Sequence, residues 1–359
     1  MGALSVAGNP FAAWALTKKC RAFRPDVVHF HNTFPLVSAL AVRAAARFAP
    51  VVMTLHNYRL VCAAGTPFRD GAVCTACFGG SVTPALRHRC YRQSLLATVA
   101  LAFAIALYRR FLSRWVARFI VLSEFQRRQV IACGFPAEKV VVKPNAVADT
   151  RGAAIRPESV VPRDGLVYVG RLSPEKGLET LLKAWNLMDA QEKGRAGVRE
   201  LRLVGGGPQR AELEAVSPSG VRFVGVQDAV GVKRLVSEAR CVILPSVCWE
   251  TFGLSVVEAL REGTPAVVSD VGALPELVRD GMNGFVFQAG DEQSLAAALR
   301  KMLNLSANEY AAMRRAARRT YVAKFTEGRN YESLMAIYEE TRNRQMEKRR
   351  CHGSEVRIK

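Results

Sequence analysis

Residues Cys241–Val268 read CVILPSVCWETFGLSVVEALREGTPAVV. An apolar, β-branched run closes at Leu244, a loop follows, and helical periodicity takes over from about Thr251–Gly253 to Arg261. A second β-branched run, Ala266–Val268, comes directly after. Strand, loop, helix, strand is the repeating unit of a parallel sheet covered by helices. Gly253 permits close backbone approach at the helix start, where free N–H groups and the helix dipole favour an anion. Glu250 lies just before that start and Glu258 about a turn and a half inside it. A carboxylate accepts two hydroxyl hydrogen bonds, which suits a ribose or a sugar diol. The two Glu would then grip a sugar, a diphosphate and a ribose in series. The plainer alternative makes Glu250 a dipole partner of the first turn and Glu258 a solvated helix residue.

Two further loops belong with this one. Gly170-Arg171-Leu172-Ser173-Pro174-Glu175-Lys176-Gly177 follows the strand Leu166–Val169. Two cations five residues apart on a Gly-bounded turn can reach one diphosphate, Arg as a planar fork and Lys as a point charge. Gly205-Gly206-Gly207-Pro208 follows the strand Leu201–Val204 and opens a helix. Arg210 stands where G-x-G-x-x-G needs its third Gly, so a dinucleotide fingerprint fails. All three loops lie at carboxyl ends of strands, where open α/β sheets bind ligands.

On these residues the chain resembles a family-4 retaining glycosyltransferase of the B-type, two-Rossmann-domain fold, of the bacterial polysaccharide or glycolipid kind. GRLSPEKG, LVGGGP, the E-x7-E element Glu250–Glu258 and SDVGALPELVRDGMNG (Ser269–Gly284) match in order and spacing across most of residues 165–303. The resemblance implies Arg171 and Lys176 on the donor diphosphate and Glu258 on the ribose hydroxyls, with Gly170 and Gly206 also expected among the donor-binding residues. It implies Glu250 on the transferred sugar, with Thr251 and the backbone of Phe252, Gly253 and Leu254 at sugar and phosphate. T-L-H-N (Thr54–Asn57) matches the motif whose His, here His56, meets the donor sugar across the cleft. Asn145 matches an interdomain Asn, although the usual Gly after it is Ala146.

The same alternation runs through the rest of the chain. Val27–Phe30, Val51–Leu55, Phe119–Leu122 and Val140–Val142 read as strands in the first half. Val221–Val224 and Phe285–Phe287 complete six in the second, with helices such as Leu178–Trp185, Gln209–Glu214, Ala229–Ala239, Ser255–Glu262 and Ser294–Leu303 between them. The expected fold is α/β, with two Rossmann-like domains facing across a cleft. Residues 1–148 form an acceptor-side domain with a Cys-containing insertion at 62–90, joined by a polar linker at 149–163 to a donor domain at 164–325. A helix at 326–345, centred on Asn330–Glu340, crosses back, and 346–359 form a basic tail that frays. Four strands against six lead us to expect a first domain incomplete at its N-terminus.

Half of the residues are apolar and 51 Lys and Arg stand against 31 Asp and Glu, a net charge of +20. The profile is globular and the surface attracts polyanions. Met1–Ala15 lacks a basic region ahead of a long apolar run, so no signal peptide is read. Nine Cys do not resemble a secreted disulfide framework, which points to a cytoplasmic setting. The longest apolar stretch, Leu95–Tyr108, has 14 residues, short of the roughly 20 that span a bilayer.

His29, His31 and His56 lie at strand ends, but no Asp or Glu joins them at ligand spacing. Cys62, Cys74, Cys77 and Cys90 form C-x11-C-x2-C-x12-C. Closure on a structural zinc would pin an insertion that lacks a core; the alternative is a set of reduced thiols. From Gly71 to Ser123 there are seven Arg and no acidic residue, with the apolar stretch Leu95–Leu107 inside. An apolar helix with Arg at its ends reads as a docking element for an anionic membrane surface, or as a core helix with a basic rim.

The expected activity is transfer of a sugar from a UDP- or GDP-linked donor to a glycan or lipid-linked acceptor hydroxyl, with retention, without a required cofactor or metal. It would act in the cytoplasm, peripheral on the inner face of the cytoplasmic membrane. A nucleic-acid binder would interleave phosphate-tracking cations with exposed aromatics, and the Arg-rich segments show little of that, so no nucleic acid is expected. The alternative is a truncated or degenerate, non-catalytic binder of nucleotide sugar or polyanion.

Overall fold

A computed structural model describes residues 8–33, 37–149, 163–189, 191–192 and 200–355. The fold is α/β, with two Rossmann-like units built on parallel sheets. Unit 1 comprises Met1–Pro67, Cys74–Lys143 and Tyr331–Lys359; unit 2 comprises Phe68–Val73 and Pro144–Asn330. The linker expected at 149–163 lies, from 150 to 162, outside the described residues.

In unit 1, α1 (Pro10–Phe23), β1 (Val28–His31), α2 (Ala39–Ala45) and β2 (Val51–Thr54) come first. A short antiparallel hairpin follows, β3 (Phe68–Arg69) and β4 (Ala72–Val73), which groups with unit 2. Then come α3 (Thr83–Arg87), α4 (Leu95–Trp115), β5 (Val116–Val121), α5 (Glu124–Ala132) and β6 (Val140–Val142). The sheet order is β1-β2-β5-β6, all parallel. Val51, Val52, Phe119, Ile120 and Val121 are fully buried, as strands covered on both faces require. Two readings shift. The strand expected from Phe119 begins at Val116, because α4 runs on to Trp115 and Val116 serves as both its cap and the first strand residue. The hairpin β3–β4 was not read, although Asp70-Gly71, both with positive φ, is the residue pair that a tight hairpin turn favours.

In unit 2 the elements are β7 (Leu166–Val169), α6 (Leu178–Asn186), β8 (Leu201–Val204), α7 (Arg210–Val216), β9 (Val221–Gly225), α8 (Ala229–Glu238), β10 (Cys241–Leu244), α9 (Leu254–Arg261), β11 (Ala266–Ser269), α10 (Leu274–Leu277), β12 (Gly284–Phe287), α11 (Glu292–Asn304) and α12 (Ala307–Lys324). Nine-residue helices such as α6 are too short to persist alone. Its stripe Leu178, Leu181, Leu182 and Trp185 is buried at helical spacing, and full burial of each such side chain is worth about 2 kcal/mol. The strand order is β12-β11-β10-β7-β8-β9, all parallel. Chain direction across the sheet therefore reverses between β7 and β10.

The last helix, α13 (Glu327–Glu355), lies mainly in unit 1. Its Ile337 packs with Val52 and Ile120, and its Glu340 accepts from Arg118 at 3.0 Å, so it covers the first sheet. It stays helical to Glu355, beyond the point where a frayed tail was expected; 356–359 lie outside the described residues.

Candidate functional site

A doubly wound sheet opens a crevice where its strand order reverses, because the loops on either side diverge to opposite faces. In unit 2 that point lies between β7 and β10, and the loops leaving those strands are 170–177 and 245–253. Two glycines let neighbouring loops close on one another. A Cβ at Gly205 would fall 1.9 Å from the Gly170 carbonyl oxygen, and one at Gly177 2.0 Å from that of Pro245. Gly170 N–H donates to Val204 O, Leu172 N–H to Gly206 O and Val247 N–H to Glu175 O, which ties the loops after β7, β8 and β10 into one rim.

That rim brings Lys176 to Glu250. Lys176 Nζ donates to Glu250 Oε1 at 2.6 Å, and Ser246 Oγ donates to the same oxygen at 2.5 Å. The side chains are 22% and 14% exposed. Burial alone would lower the Lys176 ammonium, but the charge and hydrogen bond of Glu250, helped by Cys248 and Glu175, hold it above its ordinary value. The backbone of Glu250 is held as well. Ala273 N–H donates to its carbonyl at 3.0 Å, and a Cβ on Gly272 would lie 2.5 Å from its nitrogen. Sequence reading missed Ser246 and Gly272 in these roles. Gly272 was visible inside Ser269–Gly284, but nothing local says which backbone it meets.

The helix α9 starts at Gly253, whose φ of 107° only glycine adopts without strain, and no side chain caps it. Thr251, Phe252 and Leu254 flank that start, with Phe252 buried. Glu258 is half-buried in the second turn, and burial raises its carboxyl above the usual range against the lowering effect of Arg261. Arg171 is exposed on the rim, its carbonyl accepting from Tyr168 Oη at 2.6 Å. Gly206 lies on the same rim. The structure therefore gathers the donor-side residues named from sequence within unit 2.

Unit 1 brings its three His together, His31 and His56 at the carboxyl ends of β1 and β2 and His29 second in β1. His29 Nε2 and Nδ1 lie 2.7 Å from Thr54 Oγ1 and Tyr338 Oη, so both of its nitrogens are in use. His31 Nδ1 and His56 Nε2 share a hydrogen bond of 2.8 Å, the tautomers deciding which one donates. Burial lowers all three rings, His29 to about 4, and the Lys143 charge adds to the effect on each. His56, Asn57, Asn32, Thr54 and Arg59 line a cavity of about 200 Å³. Lys143 and Tyr338 were not named as neighbours, because Tyr338 is 309 residues from His29. Asn145 follows β6 as a half-buried residue outside any helix or strand.

The expected zinc site is corrected. Cys62, Cys74, Cys77 and Cys90 are half-buried, and among the described residues no three His, Cys, Asp or Glu side chains form a group able to hold a metal. Burial holds the Cys62 thiol protonated, up at about 11, and it donates to Thr66 O. Arg109 does the pinning instead, donating to the carbonyls of Cys77 and Phe78 at 3.1 and 3.2 Å. On α4, Leu96, Val99 and Phe103 are exposed at helical spacing, and Phe11 and Trp14 are exposed on α1. Helix α2 packs against both, and its Leu40 is exposed too. No helix among the described residues is long and apolar enough to cross a membrane.

Two family models match consecutive parts of the chain: Glycosyltransferase Family 4 over residues 3–151 and Glycosyl transferases group 1 over residues 163–305. The chain is 30% identical over 199 residues to the amylovoran biosynthesis glycosyltransferase of Erwinia amylovora, a match covering 50% of this chain and 46% of that protein. It is 29% identical over 333 residues to a glycogen synthase of Mycobacterium tuberculosis, covering 86% of this chain and 70% of that one. Among solved structures, Anabaena HepE in complex with UDP and glucose superposes with a TM-score of 0.65 at 19% identity, over 92% of this chain and 82% of that one. A glycosyltransferase of Rickettsia africae gives a TM-score of 0.66 at 16% identity, over 93% and 83%. The chain thus spans less than half of the Erwinia relative's length. The family models support a glycosyltransferase of the family 4 or group 1 type, and the solved structures support the fold.

Proposed function

We propose that this chain moves a sugar from a UDP- or GDP-linked donor to an acceptor hydroxyl, with retention of the anomeric configuration, in the assembly of a cell-surface polysaccharide or glycolipid. The observation that carries this reading is the convergence of Lys176, Glu250, Gly170 and the uncapped start of α9 at the switch point of the second sheet. Lys176, Arg171 and the first N–H groups of α9 supply positive charge where the departing diphosphate gathers negative charge, so the reading is of transfer without a metal. The backbone of Phe252, Gly253 and Leu254, with Thr251 beside them, meets sugar and phosphate. Glu258 accepts from the ribose hydroxyls; its raised pKa marks a carboxylate that lacks full solvation until hydroxyls bind it. Lys176 and Ser246 both use Glu250 Oε1, which leaves Oε2 for a hydroxyl of the transferred sugar. His56 is kept as a catalytic residue, and the departing phosphate takes the acceptor proton.

The exposed apolar side chains of α1, α2 and α4, with Lys18, Lys19 and Arg21 exposed on α1, favour peripheral docking on an anionic inner membrane surface. That surface would present a lipid-carried acceptor. Incubation of the purified chain with radiolabelled UDP- and GDP-sugars tests the donor reading. Binding by wild type and its loss in Glu258→Ala and Lys176→Ala supports it. No binding by wild type, or competition by DNA and not by nucleotide sugar, overturns it.

A further inference from the structure

Unit 1 holds a second cavity, of about 850 Å³, at the opposite ends of its strands from His31 and His56. Pro50, Val116 and Lys139, which line it, precede or begin β2, β5 and β6. Roughly 20 Å of chain along β2 separates it from His56. The wall carries six cations, Arg43, Arg47, Arg114, Arg118, Lys139 and Arg344, against two carboxylates, Glu138 and Glu347.

Some of this charge is already committed. Lys139 donates to the carbonyls of Ser113 and Val116, closing the end of α4. Arg118 and Arg344 share Glu340, at 3.0 and 2.7 Å. Two observations show a site left incomplete. The Arg118 side chain is 5% exposed, yet its Nε has no hydrogen-bond partner, and Oε1 of Gln345 is likewise buried and unpartnered. An unmade bond on a buried guanidinium is costly, and an amide turned about its last torsion would present N–H groups instead. Arg43 and Arg47, four residues apart and both exposed, add two guanidinium groups on the same wall. The guanidinium of Arg43 lies 6.0 Å from the centre of the Trp115 ring. That ring, with Ala46, Ala49 and Pro50, makes one side of the cavity apolar.

We infer that this cavity binds a phosphate-bearing anion, separate from the nucleotide-sugar site of unit 2. A phosphate carries nearly two charges and three strong acceptor oxygens, which matches converging Arg forks better than a single carboxylate does. The apolar wall takes whatever the phosphate is attached to. The same chemistry is offered by a free phosphorylated molecule and by a lipid headgroup. The inference stands on unit 1 alone and does not depend on the transferase reading.

The test uses the full chain, with pyrophosphate as the calorimetric probe. Wild type should show two pyrophosphate sites, and Lys176→Ala should leave one. Adding Arg43→Gln and Arg47→Gln to that variant should weaken the remaining site by tenfold or more. The same two substitutions in the wild-type background should leave UDP affinity unchanged. A single wild-type site that Lys176→Ala abolishes would overturn the inference and leave the donor reading intact. A remaining site indifferent to both Arg substitutions would also overturn it. Sedimentation with phosphatidic acid vesicles tells the sources apart. Binding that pyrophosphate displaces assigns a headgroup, and pyrophosphate binding without vesicle binding assigns a free phosphorylated molecule.

Discussion

Replacing Lys176 by Met separates what this residue does for the fold from the donor role proposed for it. The pair it forms with Glu250 is 2.6 Å long, and the two side chains are 22% and 14% exposed. Removing one partner strands the other charge with Ser246 as its remaining neighbour on the Glu250 side. A fully buried pair broken in this way costs about 3–5 kcal/mol, and partial access of water brings the expected cost here to about 2 kcal/mol. Glu250→Gln should cost a similar amount, leaving an ammonium instead. The double variant removes both charges, so it should cost about 2 kcal/mol and not the sum of about 4. Because Lys176 is held above its ordinary lysine value, this stabilisation is whole at neutral pH and is lost only as pH rises through the raised value. Urea unfolding of the four proteins gives the cycle. Single-variant costs that simply add, within about 0.5 kcal/mol, would show that the two side chains do not couple and would refute the reasoning. UDP affinity measured on the same proteins completes the experiment. Stability should fall no further in the double variant than in either single one, while UDP affinity stays at least about tenfold down, because the diphosphate has lost its cation. Wild-type UDP affinity in the double variant would mean that Lys176 acts only through Glu250.

Three other outcomes follow from the structure. Gly253→Ala places a Cβ at φ 107°, 2.8 Å from Leu274 Cδ2, and should lower stability by about 1–3 kcal/mol and weaken UDP binding, read by thermal melts and calorimetry. His29 titrates at about 4 in the fold against 6.5 when free, so below 6.5 the unfolded chain takes up the proton first and stability falls as pH drops toward 4. The full displacement would be worth about 3 kcal/mol, partial solvation cuts it to about 1, and His29→Asn should flatten that part of the stability–pH curve. Dialysis against a chelator should leave the melting temperature unchanged, whereas Arg109→Ala should speed proteolysis around Cys77 and Phe78 by releasing their two carbonyls. A chelator-dependent melt would restore metal binding by the cysteines.

Much of the fold, and of the loop cluster at the switch point of the second sheet, was legible because its causes are local. Alternating β-branched and amphipathic runs state strand and helix within a few residues, and parallel order follows from helices between strands. GRLSPEKG, LVGGGP and Glu250–Glu258 are readable because each sits where a strand ends, and a backbone that must pass close to another needs glycine there. The hairpin at Asp70-Gly71 and the true start of β5 at Val116 were also local, but an adjoining helix and a two-residue strand length masked them.

Only the tertiary structure decided which distant groups meet. Sequence spacing put four cysteines in an order that zinc could use, but among the described residues they do not form a group able to hold a metal. It could not show that Ser246 and Lys176 share one oxygen of Glu250, nor that Gly272 lies against that residue's backbone. It named three His but not Tyr338, which α13 returns to His29 from the far end of the chain. It left the basic balance without an address, until packing put six cations round one cavity of unit 1. A local signal records the dihedral angle or the periodicity that a short segment must adopt. Convergence depends on strand order and on which helix covers which face, and these are settled by burial of the whole core.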